Sequence, residues 1–315
     1  MRPPPATAAR RHVALVGPTA SGKSALALDL ARRRPEAELV SVDSMGVYRG
    51  MDIGTAKPTA AERAEVPYHL LDLVGPEEEF TVRRFQDAAR AALTAIEGRG
   101  HRALLVGGTG LYLRAVVDRL AVPGRWPAVA AELREEADRP GGLERLYARL
   151  AALDPVAAAR TEPGNDRRVV RALEVTLGSG RPFSSFGPGL EAYPPTPFVL
   201  VGVRPDAASL DARIEARFRR LLDDGLLEEV RALSRLPGGL SRTARQALGY
   251  RELLAHVEHG VPLDQAVDEA IRRTRAFARR QWAWFRRDPR IHWLDPDDDP
   301  PAQLLGVWDA SEVGE

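Results

Sequence analysis

The stretch that decides the fold reads Gly17-Pro18-Thr19-Ala20-Ser21-Gly22-Lys23-Ser24. It fits the phosphate-loop pattern G-x-x-x-x-G-K-[ST], and it lies between an apolar run at residues 12–16 and an amphipathic segment at residues 23–33. In a strand, loop and helix of this kind, the loop N–H groups converge on phosphate oxygens, Lys23 adds a positive charge and Ser24 offers a ligand to Mg²⁺. The sequence therefore predicts an α/β fold with a site for a diphosphate or triphosphate at residues 17–24.

Apolar runs elsewhere predict the buried parallel strands of one sheet. With the first run they lie at residues 12–16, 39–42, 103–106, 198–203 and 291–294. Helical patterns alternate with these runs, as parallel β–α–β units require. We therefore expect a P-loop NTPase-like parallel sheet with flanking helices and a helical insertion domain.

The domain organisation follows from the same patterns. At 315 residues the chain is long enough for about two domains. The predicted boundaries are a disordered tail at 1–11, a first part of the P-loop core at 12–121, a helical insertion at 122–180, a second part of the core with a basic C-terminal helix at 181–295, and a loose tail rich in Asp and Pro at 296–315.

Composition excludes several classes of protein. The chain has no cysteine, so a disulfide framework, a thiolate nucleophile and a Cys-ligated zinc are excluded, and we expect a reducing, cytoplasmic location. Its apolar runs are too short to cross a membrane, and residues 1–11 lack the apolar region of a signal peptide. A net charge of +1 by itself indicates nothing about nucleic acid.

Positive charge is concentrated towards the C-terminal end. Residues 271–290 contain eight Arg and one acid, Asp288, which predicts a surface for a polyanion. The aromatic residues within this segment, which are either stacking platforms or core, are Phe277, Trp282, Trp284 and Phe285. Only two of the 45 basic residues in the chain are lysines, Lys23 and Lys57, and such rarity indicates a functional reason for each.

A carboxylate follows the second predicted strand. Because the carboxyl ends of parallel strands meet at one sheet edge, we expect Asp43 to lie beside the P-loop. There it positions a metal or accepts a proton, or else it caps the next segment through an Asx turn at Ser44. The third predicted strand ends in Gly107-Gly108-Thr109-Gly110, without the Mg²⁺-binding acid that a phosphoryl-transferring enzyme normally has at a second strand end.

Ordered motifs along the chain resemble those of the tRNA dimethylallyltransferase family. They are the P-loop, Val42-Asp43-Ser44-Met45, the run from Tyr48 to Pro58, Gly107 to Tyr112, Asn165 to Arg168 with Arg171 to Val175, Gln246 to Tyr250, and Arg279-Arg280-Gln281 with Trp284-Phe285-Arg286. The resemblance extends over about residues 12–294. Several motifs in one order are much more specific than a P-loop alone.

The resemblance implies a reaction. In this family the P-loop holds the diphosphate of dimethylallyl diphosphate, with Mg²⁺ on Ser24, and the N6 amine of adenine 37 in tRNA attacks the allylic carbon. Asp43 is implied to accept the proton of the amine. Lys23 and Arg217 are implied to stabilise the departing diphosphate, with Arg213 as the alternative to Arg217. The residues implied to bind the diphosphate are Gly17, Pro18, Thr19, Ala20, Ser21, Gly22, Lys23 and Ser24.

The resemblance also implies the partners. They are the anticodon stem-loop of tRNA, gripped in part by the helical insertion, and dimethylallyl diphosphate; no membrane is involved, and we expect a monomer. The residues implied to contact tRNA are Asp43, Ser44, Met45, Gly46, Thr109, Arg167, Arg168, Arg171, Gln246, Gly249, Tyr250, Arg279, Arg280 and Gln281.

Two positions depart from the family pattern. Gly46 stands where the family has Gln, and Ala283 stands where Thr is common. A Gln at position 46 would pair with the adenine edge, whereas Gly offers only its backbone. The competing interpretation is that a remodelled loop needs Gly46 for a positive φ.

Three other functions remain open at this point. The first is a P-loop small-molecule kinase, which the missing strand-end acid and the basic segment disfavour. The second is an adenylate isopentenyltransferase acting on free AMP or ATP, which would need neither the insertion nor the basic segment. The third is a nucleic-acid-binding protein with an inactive P-loop, which would have no reason to keep both Asp43 and Lys23.

Overall fold

The structure is a computed structural model that describes residues 11–311. Their contacts form two compact units: the first contains the chain up to Asp118 and from Pro195 onward, and the second is Arg119–Pro194. The second unit contains the expected insertion at 122–180 and extends past it at both ends. The predicted tail at 1–11 lies outside the described residues, apart from Arg11.

The first unit is built on a parallel sheet with the strand order β3-β2-β4-β1-β5-β6. The strands of the described residues are β1 (Val13–Val16), β2 (Ala37–Val42), β3 (Tyr68–His69), β4 (Arg102–Gly107), β5 (Val199–Val203) and β6 (Ile291–Leu294). The prediction of an α/β fold with a parallel sheet is confirmed. The two-residue edge strand β3 is the one that the sequence patterns did not reveal.

Helices surround the sheet and form the second unit. Along the described chain they are α1 (Lys23–Arg33), α2 (Ala60–Glu65), α3 (Val82–Gly98), α4 (Gly110–Val117), α5 (Pro127–Ala137), α6 (Gly142–Leu153), α7 (Pro155–Ala159), α8 (Asp166–Ser179), α9 (Ala207–Asp223), α10 (Leu226–Ser234), α11 (Tyr250–His259), α12 (Leu263–Phe285) and α13 (Pro300–Ala310). Short 3₁₀ turns occur at Phe183–Phe186 and Ala244–Gln246. Within residues 11–311, no helix is long and apolar enough to cross a lipid bilayer.

Side chains at the helix ends explain where helices begin. Thr81, the predicted N-cap of α3, accepts a hydrogen bond at 3.3 Å from the N–H of Arg84. Asn165 caps α8 in the same way, accepting from the N–H of Arg168 at 3.2 Å. Both side chains satisfy an N–H group that has no partner inside the helix.

Alternate residues of the strands supply two apolar clusters, one on each face of the sheet. Ala14 and Val16 of β1 belong to the cluster under α3, α11 and α12, whereas Val13 and Leu15 belong to the cluster under α1 and α13. Burial on both faces explains why the strands read as continuous apolar runs.

The register of three strands brings their carboxyl ends together. Gly107 of β4 pairs with Val16 of β1 on one side and with Val42 of β2 on the other. A Cβ atom at Gly107 would lie 2.1 Å from the carbonyl oxygen of Val42, so this close approach requires glycine. The segments that follow β1, β2 and β4 therefore leave the sheet side by side.

In the second unit, α5, α6, α7 and α8 surround a small apolar cluster of their own. Phe183 packs against this cluster, and the N–H of Ser184 donates to the buried Asp154 carboxylate at 2.7 Å. These contacts tie the segment after α8 to the helical unit, although the sequence patterns assigned residue 181 onward to the core.

The C-terminal segment differs from its prediction. Residues 296–315 were expected to form a loose tail, but Pro300–Ala310 form α13, and Trp308 is fully buried. The buried Arg102 guanidinium donates to the carbonyl oxygen of Trp308 at 3.0 Å. The Asp and Pro residues that suggested a loose tail are helix-start residues here, because Asp299 is the N-cap and Pro residues occupy the first turn. Residues 312–315 lie outside the described residues.

We expect Trp308→Ala to lower the free energy of unfolding by about 3–5 kcal/mol, because it removes a large side chain from a packed cluster. Urea denaturation followed by circular dichroism measures this change. The matched control is Asp309→Asn on the same helix, which removes an exposed ion pair with Arg34 and is expected to cost less than about 1 kcal/mol. Equal, small effects of both variants would mean that α13 does not contribute to the core.

Candidate active site

A cavity of about 780 Å³ lies in the first unit where the carboxyl ends of β1, β2 and β4 meet. The predicted site residues that line it are Thr19, Ala20, Lys23, Ser24, Asp43, Ser44, Met45, Gly46, Thr109, Arg217, Tyr250 and Gln281. The predicted residues of the same unit outside this lining are Gly17, Pro18, Ser21, Gly22, Gln246, Gly249, Arg279 and Arg280. Residues from six separate segments of the chain thus meet in one cavity.

The P-loop curls tightly in front of α1. Gly22, with φ +91°, is the N-cap residue before the helix, and Ala20 also has a positive φ, of +61°. The Lys23 ammonium group donates to the carbonyl oxygen of Pro18 at 3.0 Å, across the loop. At Gly17 a Cβ atom would lie 3.0 Å from the carbonyl oxygen of Val203 on β5, so the start of the loop also has little room for a side chain. This loop at a helix N-terminus forms a cradle for an anion.

Two cations face the cavity from the P-loop side. Burial lowers the pKa of Lys23 to about 8; the nearby Arg217 guanidinium lowers it too, while the Asp43 carboxylate opposes the shift. Burial also lowers the pKa of Arg217, whose guanidinium donates to the Thr19 hydroxyl at 3.2 Å. Arg213 lines a second cavity of about 350 Å³, which borders the P-loop at Ser21 and Gly22 but includes neither Lys23 nor Asp43. The geometry therefore favours Arg217 over Arg213 as a diphosphate ligand.

Asp43 forms the Asx turn that was one of the alternatives left open by the sequence. Its Oδ1 accepts hydrogen bonds from the N–H groups of Met45 at 2.7 Å and Gly46 at 3.3 Å, which is an Asx turn. Its Oδ2 accepts no hydrogen bond from the residues that the structure describes. The turn thus fixes the carboxylate while one oxygen stays available to a ligand in the cavity.

Thr109 and Gln281 connect the segments around Asp43 and the P-loop. The Thr109 hydroxyl accepts a hydrogen bond from the N–H of Ser44 at 3.4 Å. Gln281 accepts from the N–H of Thr19 at 2.8 Å and donates to the carbonyl oxygen of Gly108 at 2.9 Å. Gln281 is buried, although the resemblance placed it among the tRNA contacts.

Sequence reasoning did not identify Glu229, which holds one wall of the cavity. Its carboxylate accepts the Tyr250 hydroxyl at 2.5 Å. It also accepts hydrogen bonds from three backbone N–H groups, those of Asp52 at 2.8 Å, Ile53 at 2.8 Å and Gly54 at 3.2 Å. Tyr250 is fully buried, and a Cβ at Gly54 would lie 2.4 Å from its ring. Glu229 lies outside the quoted motifs, so only its partners in the fold reveal its role.

The contacts of Lys57, the second of the two lysines, explain why a lysine occurs at this position. Its buried ammonium group donates at 2.6 Å to each of three acceptors, the carbonyl oxygen of Tyr48 and the carboxylates of Asp52 and Asp72. All three donors of the ammonium are therefore used. Lys57 ties together the loop that carries the Tyr48–Lys57 motif and leaves no donor for a substrate.

Gly46 is not required for backbone reasons. Its φ lies outside the left-handed region, and a Cβ there would meet the side chains of Leu71, Asp43 and Ser41 no closer than 3.5 Å. The interpretation that Gly46 serves a positive φ is therefore wrong. The Cβ atom of a larger residue at this position would make ordinary van der Waals contacts, and its side chain would lie beside the cavity.

Gln246 and Gly249 frame the start of α11. Gln246 is exposed, whereas Gly249 is buried with φ +85°. A Cβ at Gly249 would lie 3.0 Å from the Phe218 ring. The structure thus accounts for Gly249 through its backbone and leaves the Gln246 side chain accessible.

Half of the Arg side chains in the basic segment are neutralised, so the surface for a polyanion is smaller than the count of eight Arg suggests. Four of its eight Arg side chains form close ion pairs, namely Arg272, Arg273, Arg275 and Arg290. Arg279 is 3.8 Å from Asp211 and largely exposed. Arg280, Arg286 and Arg287 are exposed and pair with no acid of the described chain. Only these last four guanidinium groups offer charge to a polyanion.

The aromatic residues of α12 are mainly structural. Phe285 is buried in the core, and Trp284 lies against Gly110, where a Cβ would be 2.3 Å from the indole nitrogen. Trp282 packs edge-on against Trp293 with ring centroids 4.8 Å apart. Phe277 differs from them because it lines the cavity.

The second unit carries the remaining predicted tRNA contacts. Arg167 and Arg168 are exposed on α8 and form no ion pair within residues 11–311. Arg171 donates to the carbonyl oxygens of Pro123 at 3.0 Å and Gly124 at 2.9 Å, and it pairs with Glu174 at 2.9 Å. Arg171 thus stabilises its own unit, whereas Arg167 and Arg168 are accessible.

The IPP transferase family model matches residues 46–288. The chain belongs to the IPP transferase family. Among curated members, a tRNA dimethylallyltransferase of Salinispora arenicola is 51% identical over 91% of this chain and 83% of that protein, and one of Pseudarthrobacter chlorophenolicus is 46% identical over 94% and 97%. The family resemblance inferred from the motifs is confirmed, and with it the assignment as a transferase.

Solved structures of the family share the fold. The tRNA isopentenylpyrophosphate transferase of Bacillus halodurans is 35% identical, with a TM-score of 0.68 and coverage of 96% of this chain and 97% of that one. A eukaryotic dimethylallyltransferase acting on tRNA is 25% identical, with a TM-score of 0.77 and coverage of 94% and 77%.

We expect the affinity for inorganic pyrophosphate to fall as the pH rises above about 8, because Lys23 then loses its proton in the free enzyme. The bound anion favours the ammonium form, so the loss approaches about tenfold per pH unit until the pKa of the bound state is reached. From about one pH unit below this pKa downward the ammonium is almost fully charged, and Lys23 adds little pH dependence.

Isothermal titration calorimetry between about pH 7 and pH 9.5, without added metal, measures this dependence. The Lys23→Met variant is the control, since its profile retains only the titration of pyrophosphate itself and of other groups. Parallel profiles of the variant and the wild type would assign the pH dependence to a group other than Lys23.

Proposed function

We propose that this protein transfers the dimethylallyl group of dimethylallyl diphosphate to N6 of adenine 37 in tRNA and releases diphosphate. The observation that carries the proposal is one cavity lined by the cations Lys23 and Arg217 and by the carboxylate Asp43. A diphosphate held by these cations shares the cavity with the carboxylate. The names of the curated relatives support tRNA as the acceptor.

The donor side of the reaction uses the P-loop. Lys23, Arg217 and the N–H groups at the start of α1 bind the diphosphate and stabilise the charge that develops on it as the allylic C–O bond breaks. These donors are fixed before substrate arrives, since Arg217 and Thr19 already hold one another. Preorganised donors do not have to reorient in the transition state.

The acceptor side uses Asp43. The N6 amine forms the new C–N bond, and its proton passes to the Oδ2 atom of Asp43. A positioned general base typically contributes about 10² to 10⁴ in rate. The Asx turn at Met45 and Gly46 occupies Oδ1 and so leaves Oδ2 to take the proton.

The donor set of the cavity fits Mg²⁺. The Ser24 hydroxyl is a hard oxygen ligand that lines the cavity, and Mg²⁺ commonly takes one or two protein ligands together with substrate phosphates and water. When bound, the ion supplies Lewis-acid neutralisation of the diphosphate charge. Ser24 is the residue that would hold it.

Free AMP or ATP is the second candidate acceptor, and the exposed Arg side chains favour tRNA over it. Arg167 and Arg168 on α8 and Arg280 on α12 have no acidic partner in the described chain and suit a phosphate backbone. Incubation with Mg²⁺ and labelled dimethylallyl diphosphate, with either unmodified tRNA or AMP as acceptor, tests the proposal. Label on AMP alone, or no label on either acceptor, would contradict it.

We expect Asp43→Asn to lower the rate of transfer to tRNA by about 10²-fold or more without weakening pyrophosphate binding. Asn keeps an Oδ1 that accepts the turn hydrogen bonds but cannot take the proton. Single-turnover kinetics at saturating tRNA measure the rate. The control is Asp87→Asn, an exposed acid on α3, which should leave the rate unchanged. Unchanged turnover of Asp43→Asn would remove Asp43 as the base.

We expect Gly46→Gln to raise kcat/KM for tRNA about fivefold, which corresponds to about 1 kcal/mol for one added base contact. The space around Gly46 admits a Cβ atom, so the variant should keep its melting temperature. Gly46→Ala is the control, because it adds the Cβ without the amide and should match the wild type. A joint fall of activity and melting temperature in both variants would exclude a missing base contact.

A further inference from the structure

We infer that Gln281 is a positioning residue that fixes the diphosphate cradle relative to the acceptor side of the cavity, and that it does not contact tRNA. The inference rests on the proposed function. It replaces the expectation, drawn from the family resemblance, that Gln281 is one of the tRNA contacts on α12.

Both ends of the Gln281 amide are used inside the protein. Its Oε1 accepts the N–H of Thr19 at 2.8 Å, and its Nε2 donates to the carbonyl oxygen of Gly108 at 2.9 Å. Only 8% of the residue is exposed. A buried side chain with both ends occupied has little left to offer a nucleic acid, and breaking either bond would leave a buried polar group unsatisfied.

Gly108 is shaped for this amide. A Cβ atom at Gly108 would lie 2.2 Å from the Nε2 of Gln281, so any other residue there would push the amide away. Three residues further along α12, Trp284 rests on Gly110 in the same manner. The helix thus docks on the segment after β4 through two contacts, each of which requires a glycine.

The two partners of Gln281 belong to different parts of the site. Thr19 belongs to the diphosphate cradle, and Gly108 precedes a residue that contacts the segment of the general base. The Thr19 hydroxyl also accepts a hydrogen bond from the Arg217 guanidinium, so Thr19 connects Gln281 to the cations of the cradle. Gly108 is followed by Thr109, whose hydroxyl accepts the N–H of Ser44, the residue after Asp43. Gln281 therefore sets the spacing between the diphosphate ligands and the general base.

That spacing controls the rate of prenyl transfer. The amine, the allylic carbon and the departing oxygen must be aligned when the C–N bond forms, and small displacements of the reacting groups cost large factors in rate. A side chain that holds both segments needs one acceptor and one donor at its tip. Gln has both, whereas Met has the same length and neither.

The test compares Gln281→Met with Gln265→Met, an exposed Gln on the same helix, as the control. For Gln281→Met we expect the single-turnover rate at saturating substrates to fall about 10- to 100-fold. We also expect weaker binding of inorganic pyrophosphate, by about three- to tenfold, and a Kd for an unmodified anticodon stem-loop within about twofold of the wild type. The control should match the wild type in all three measurements.

A second pair of variants tests whether Gly108 acts through Gln281. Gly108→Ala alone should reproduce the loss of rate, because its Cβ displaces the amide. Gln281→Ala removes the amide, so Gly108→Ala added to it should cause little further loss. Such non-additivity identifies two residues that act as one unit.

A raised Kd for the stem-loop with unchanged pyrophosphate binding would make Gln281 a tRNA contact and overturn the inference. Additive losses in the double variant would also overturn it. Melting temperatures identify any variant that fails to fold, in which case Gln281→Met and Gly108→Ala serve as substitutes for each other. Pyrophosphate binding requires no prenyl transfer, so these outcomes stay distinguishable from a failure of the wild type to modify tRNA.

Discussion

The pairing of β4 with both β1 and β2 is the constraint on which the cavity depends. Parallel pairing at a common level directs the following segments to the same edge of the sheet, and one segment carries Lys23 while another carries Asp43. The absence of a side chain at Gly107 permits the close contact with Val42. A bulkier residue there would separate the strands at the point where the charged groups must meet.

Charge is distributed unevenly over this cavity. Lys23 and Arg217 lie on the side of the P-loop, and the Asp43 carboxylate is close enough to raise the pKa of both against the effect of burial. Burial makes each cation costly in the free protein, as the lowered pKa values of both show. A bound diphosphate offsets that cost, so the anion stabilises the arrangement that binds it.

The sequence predicts those parts of the site that depend on local pattern and on the rules of parallel sheets. The P-loop, the five longer strands and the position of Asp43 at a strand end are of this kind. Contacts between segments that are distant in the sequence could not be predicted. The partners of Gln281 lie 262 and 173 residues away, and Glu229 binds a loop more than 170 residues distant. No local pattern encodes such pairs.

The charge of the basic segment shows the same limit. Counting charges along α12 overestimates its attraction for a polyanion, because Arg275 pairs with Glu215 on another helix. The prediction of a loose tail at 296–315 was wrong for a different reason. It rested on the high content of Asp and Pro and took no account of their order. Their order, Asp299 before two prolines, is what marks the start of a helix.

The scarcity of lysine gives the protein an unusual chemical property. An amine-directed reagent finds only two lysine side chains, and Lys57 has its three N–H groups occupied. Lys23, with a pKa of about 8, is partly neutral and nucleophilic in mildly alkaline solution. Acylation of the folded protein therefore concentrates, apart from the N-terminal amine, on Lys23. Protection of that lysine by an anion gives a direct footprint of occupancy in the P-loop cradle.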